Sequence, residues 1–249
     1  MSGHSHWATI KFKKAAVDAK RGKLWSKLAR QIIVAARAGG PDPSANLTLR
    51  YAIDKAKAAN MPKDTIEKAI KRGTGQLEGI TYEQVLYEGY SPGAVAVMVE
   101  ALTDNRNRTA SEIRKIFETR GGSLGSAGCV SWLFSKKGYI TVSAESVDET
   151  RLLEIALAAG ADDMKNIGER FELTCAPAAF EDLKNALAAE NIATQLAEVS
   201  MVPQSTVSIN NPETARKILA LMEAIEDHDD VQNVYSNFDI PDEILRRLE

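Results

Sequence analysis

Apolar positions recur at helical spacing over the first seventy residues. From Lys23 to Arg37, Leu24, Trp25, Leu28, Ile32, Ala35 and Ala36 fall on one face, with Lys23, Lys27, Arg30 and Arg37 opposite. This pattern predicts an amphipathic helix that Gly39-Gly40-Pro41 brings to a stop. A second helix is expected from about Asn46 to Ala59, burying Leu47, Tyr51, Ile53 and Ala56. A third starts at Pro62, whose locked φ suits a first turn, buries Ile66, Ala69 and Ile70, and ends at Gly73. Segment 8–21 is out of step with these. Its apolar residues Phe12, Ala15, Ala16 and Ala19 sit about half a turn from the stripe that begins at Leu24. Either Gly22 marks a break, or the segment projects beyond the helices. Both leave its lysines open to a partner.

After Gly79 the period shortens to that of strands. TYEQVLYEG and AVAVMVEAL flank a turn at Tyr90-Ser91-Pro92-Gly93, and a helix over 110–119 directs Ile113, Ile116 and Phe117 inward. A strand is expected around CVSWLF, residues 129–134. KGYITV, VDETRLLEIALAAG, DMKNI, RFELTC, PAAFEDLKNALAAE and LAEVSMV then spell β-α-β-β-α-β, the ferredoxin-like order. The strand, helix and strand before this run are half of the same order. STVSIN, PETARKILALMEAIE and VQNVYSN, after Pro203, supply the other half. The expected class is therefore α+β, with an N-terminal helical domain followed by two ferredoxin-like α/β domains, the third inserted in the second. The expected boundaries are 1–78 for the basic helical domain, 79–135 plus 204–249 for the split domain, and 136–203 for the inserted one.

Composition places the chain among ordinary globular proteins, with 44% hydrophobic and 26% charged residues in 249. No apolar run approaches the roughly 18 residues of a membrane span, and AVAVMV at 94–99 is strand-sized. The N-terminus has no apolar core of a secretory signal. Cys129 and Cys175 lie far apart without metal-ligand or redox spacing, so reduced thiols in a cytoplasmic protein are expected.

Charge changes the picture more. The chain is formally −3, yet residues 1–75 hold sixteen Lys and Arg against five acids, while residues 142–249 hold eight against twenty-two. KFKKAAVDAKRGK, residues 11–23, carries Asp18 as its lone acid. Such segregation points to one part that meets a polyanion and another that does not. The alternative is that these lysines are the solvated faces of helices.

Candidate chemistry is sparse. In TDNRNRTASE, residues 103–112, Thr109 with Glu112 reads as a capping box, so a helix should begin at Thr109. Arg106 and Arg108 would then stand in a loop before a helix N-terminus, a setting that favours an anion. Equally, Asp104 could pair with one of these arginines and shape the turn. Tyr87-Glu88-Gly89-Tyr90-Ser91-Pro92-Gly93 matches no nucleotide-binding motif and reads as a tight turn. His4 and His6 lack a third ligand, and His228 in EDHDD is expected to be solvated. No arrangement of nucleophile, base and acid emerges, nor any metal cluster or cofactor site. The acid-rich C-terminal region reads as a solvated surface or a protein-docking face.

GHSHWATIKFKKAAVDAKRGK, KAKAANMPKDTIEKAIKRGTG, YEGYSPGAVAVMVE, TDNRNRT and FSKKGYI, in this order, strongly resemble the YebC/PmpR family over essentially the whole chain. The resemblance implies a helical N-terminal domain followed by two α/β domains. It also implies a cytoplasmic, non-enzymatic regulator of gene expression, either DNA-binding and transcriptional or acting at the ribosome as a translation factor. The sequence departs from the family pattern at Phe12 and Val17, where His and Gln are usual. On this reading Lys11, Lys13, Lys14, Lys20, Arg21, Lys23, Lys27 and Arg30 neutralise phosphates of duplex DNA or ribosomal RNA, and Arg106 and Arg108 form a second, smaller anion site.

Overall fold

The computed structural model of the protein describes residues 21–248. They divide into two compact units, one of residues 21–129 and 213–234, the other of 130–212 and 235–248. The arm residues Lys11, Lys13, Lys14 and Lys20 lie outside the described residues, as does the side chain of Arg21.

The first unit begins with α1 (Arg21–Gly39), α2 (Leu47–Ala58) and α3 (Lys63–Gly73). Leu28, Ile32, Ile33, Ala35 and Ala36 of α1 pack with Leu49, Ala52, Ile53 and Ala56 of α2 and with Ile66 and Ala69 of α3. Burial of each large aliphatic side chain here contributes about 1.5–3 kcal/mol. Gly22 is the second residue of α1, and the break expected there concerns segment 8–21, which lies outside the described residues but for Arg21. Leu24 and Leu47, expected inside, are 45% and 50% exposed. Both stand near helix starts, where the chain has not yet turned onto the core.

The stop between α1 and α2 is built by one side chain. Buried Asn46 caps α2 by accepting from Leu49 N–H (3.0 Å), and its amide donates to Ala35 O (2.8 Å) and Gly40 O (2.9 Å). A Cβ on Gly39 would meet that amide at 2.6 Å. At the other end, a Cβ on Gly73 would stand 2.5 Å from Ile33 O, so glycine there allows α3 to touch the backbone of α1.

Strands β1 (Glu83–Ser91) and β2 (Val95–Thr103) form an antiparallel hairpin, followed by α4 (Arg106–Thr119) and the short β3 (Ser123–Leu124). The chain re-enters this unit as α7 (Pro212–Glu226) and β9 (Val231–Ser236). The sheet order is β3-β1-β2-β9. Eight of the nine β2 residues are buried, as befits a strand with neighbours on both edges. Phe117 of α4 fits against Gly89 and Gly122, where added Cβ atoms would meet its ring at 2.9 and 3.2 Å.

The sequence reading requires correction here. The slot expected for residues 205–210 is filled by β1. A hairpin closed by a three-residue turn costs far less loop entropy than pairing with a segment a hundred residues away. Residues 129–134 give no strand in this sheet. Ser131–Leu133 is a 3-10 turn, and Phe134 starts a strand of the second unit.

That unit runs β4 (Phe134–Ser143), α5 (Glu149–Ala158), β5 (Ala161–Asn166), β6 (Arg170–Cys175), α6 (Phe180–Ala189) and β7 (Thr194–Pro203). Its sheet order, β5-β6-β4-β7, is the ferredoxin-like one that the periodicity predicts. Val207–Ser208 (β8) pairs in parallel with Phe238–Asp239 (β10), and α8 (Asp242–Arg246) follows. No described helix is long and apolar enough to cross a membrane.

Candidate nucleic-acid interface

The basic row of α1 is not open. Lys23, Lys27 and Arg30 lie at i, i+4 and i+7 on one helix face, and each meets the end of α7. Lys23 donates to Asp227 O (3.0 Å) and pairs with Asp229 Oδ1 (3.3 Å). Lys27 donates to Glu226 O at 2.6 Å. Arg30 donates to Asp229 O and to Asp230 Oδ1, the latter at 3.0 Å, with its guanidinium 5.4 Å from the Tyr82 ring centroid. Three cations thus converge on the carbonyl end of a helix, where the macrodipole is negative.

Asp230 ties this contact to the sheet. Its carboxylate, 4% exposed, accepts from Arg30 through Oδ1 and from Arg108 (2.6 Å) and Thr109 (2.7 Å) through Oδ2. A carboxylate only accepts, so the Thr109 hydroxyl donates to it. The Thr103 hydroxyl, 2.8 Å away, then donates to Thr109 and accepts from Asn105 N–H (2.9 Å). Leu102 N–H of β2 donates to Asp230 O at 2.8 Å. Burial alone raises the Asp230 carboxyl. The hydrogen bonds from Thr109 and Arg108, with the charges of Arg108 and Arg30, outweigh it and hold the group below the ordinary Asp value.

Helix α4 therefore starts earlier than the capping box predicts. Asn105 is the cap, accepting from Arg108 N–H at 3.1 Å, and Thr109 is buried within the helix because its hydroxyl serves Asp230. Arg108 pairs with Asp104 (3.0 Å), Glu112 (3.9 Å) and Asp230. Arg106 is exposed, and its carbonyl accepts from the Tyr87 hydroxyl at 3.3 Å. The two arginines thus have different surroundings, and Arg108 has the internal partner that Asp104 foreshadows.

His228, expected to be solvated, has a side chain only 11% exposed. Its Nδ1 accepts from Asp230 N–H (3.1 Å), which leaves the proton on Nε2 to donate to Glu112 Oε2 at 2.8 Å. Sequence reasoning missed the whole segment 226–230. Its signal was present as opposite charge at the two ends of the chain, but charge alone names no partner.

Exposed cations remain in the last turn of α1 and on α2 and α3. Arg37, Arg50, Lys57, Lys63, Lys68, Lys71 and Arg72 all face solvent. Of these, Lys57 and Lys63 lie near Asp54 (3.9 Å) and Glu67 (3.7 Å). Among the described residues no group of three His, Cys, Asp or Glu side chains is placed to hold a metal.

Helices at the N-terminus followed by antiparallel sheets define a mixed α+β protein whose positive charge is concentrated in its helical layer. Residues 5–76 match the family described as the TACO1/YebC protein N-terminal domain, and residues 82–238 match the TACO1/YebC second and third domain. The chain belongs to this family. It is 55% identical to a protein of Syntrophobacter fumaroxidans over the full length of both chains. It is likewise 55% identical to one of Dictyoglomus thermophilum, again over all of both chains. Each of those proteins bears the name "Probable transcriptional regulatory protein". A crystal structure of a conserved hypothetical protein from Aquifex aeolicus is similar, with TM-score 0.82 and 53% identity. That match covers 95% of this chain and 97% of the other.

Proposed function

We propose that the chain is a non-enzymatic, cytoplasmic, nucleic-acid-binding regulator of gene expression that contacts the phosphates of duplex DNA. The observation that carries this reading is the charge of the first layer, where residues 21–76 hold twelve Lys and Arg against four acids. The basic arm before it, with Lys11, Lys13, Lys14 and Lys20, extends the same field. Regulatory names among close relatives agree with it. The acidic C-terminal region is assigned to a protein partner.

Six engaged phosphates give a slope of log K against log salt near −5 on duplex DNA. Titration of labelled duplex at several salt concentrations measures it. A salt-independent affinity, or none lost on changing Lys13 and Lys14 to Glu, refutes the assignment of the arm. Preference for ribosomes over duplex DNA by orders of magnitude replaces the transcriptional role with that of a translation factor contacting ribosomal RNA.

A further inference from the structure

The acidic end of α7 presents to α1 what a nucleic-acid backbone would present, namely oxygen acceptors at negative potential, spaced to meet successive cations. We propose that residues 226–230 act as an internal competitor for nucleic acid, holding Lys23 and Lys27 until a phosphate backbone displaces them. The inference rests on the nucleic-acid reading above and adds a regulated step to it.

Exposure decides which part of the contact can open. Lys23 and Asp229 form a pair whose side chains are 53% and 67% exposed. Such a pair in water is worth little and is screened by salt, so a dense array of phosphates can replace it. Arg30 and Asp230 are 19% and 4% exposed, and Asp230 is also held by Arg108 and Thr109. Opening that pair would take one of its two cations from a buried carboxylate. Lys23 is therefore the readily exchanged tooth of the clasp, part-buried Lys27 stands beside it, and Arg30–Asp230 is its fixed pivot.

The test compares the full chain with Asp229→Asn in binding to one labelled duplex at fixed low salt. Removing the competitor's exposed charge should tighten binding about threefold to fivefold, the scale of one exposed pair. Lys27→Gln should weaken binding in both backgrounds. Deuterium uptake at the amides of residues 226–231 should rise when duplex is added to the unaltered chain. Equal or weaker binding by Asp229→Asn, or unchanged uptake at 226–231 in the presence of bound duplex, overturns the competitor while leaving the proposed function standing. Failure of the unaltered chain to bind any duplex overturns both.

Discussion

The carboxylate of Asp230 lies 2.6 Å from the guanidinium of Arg108, a residue 122 positions earlier in the chain. Arg30 completes the group from a further helix, so one buried acid joins α1, α4 and the start of β9. This arrangement holds the first layer of helices to the sheet behind it.

Asp230→Ala should lower stability by roughly 2–3 kcal/mol. Removing one member of a buried ionic group leaves the others uncompensated, and the partial exposure of Arg108 keeps the loss below the largest values seen for such changes. Urea unfolding read through two probes checks it. A loss below about 0.5 kcal/mol, the scale of an ordinary surface change, would show that Asp230 joins nothing.

Asp230 also gives stability a dependence on pH. Its folded-state value lies below the unfolded one, so its contribution is complete above the unfolded value of about 3.9 and is lost as pH falls through the folded value. The difference in melting temperature between the unaltered chain and Asp230→Asn should hold steady from pH 7 to 5 and shrink below pH 4. A difference constant down to pH 2.5 would contradict the assignment.

Two glycines of the helical layer should answer oppositely to alanine. At Gly73 the new Cβ meets Ile33 O at 2.5 Å and Ala36 Cβ at 2.8 Å. Backbone cannot swing aside, so a loss of about 1–3 kcal/mol outweighs the gain in helix propensity. At Gly22 nothing lies within 4 Å, and alanine should stabilise by about 0.5–1 kcal/mol. Thermal unfolding of the two variants decides both.

The thiols should be poor nucleophiles at neutral pH. Burial, with the charge of Asp162 added and Lys137 opposing, pushes Cys175 up; burial and Glu88 do the same for Cys129. Cys175 is fully enclosed and should resist a disulfide reagent until the chain unfolds. Half-buried Cys129 should react more slowly than free cysteine. Rapid modification of both in the folded protein would refute this.

Local rules carried much of the fold. Gly39-Gly40-Pro41, Pro62 and Gly73 mark the helix limits because each acts through its own backbone, and the second sheet follows directly from its period. Elements whose placement depends on distant partners were harder to read. Thr109 and Glu112 make a good capping box in isolation, yet the helix begins at Arg106 because Thr109 is needed by Asp230. STVSIN has the pattern of a strand, but TYEQVLYEG takes the expected place beside β2 through a nearer turn. Of the site, the basic row of α1 was legible and its acidic occupant was not. Amphipathic spacing shows which residues face away from a core, and it cannot say what they face instead.

Order of synthesis gives that pairing a further meaning. The acceptors for Lys23 and Lys27 lie 204 and 199 residues downstream. At about 5–20 residues per second, they are made some 10–40 s after the lysines whose hydrogen bonds they accept. Throughout that interval the nascent helix stands without the acidic end of α7, beside the RNA of the machine that makes it. The last fifth of the chain therefore completes a sheet and also brings a long period of unshielded charge to its end.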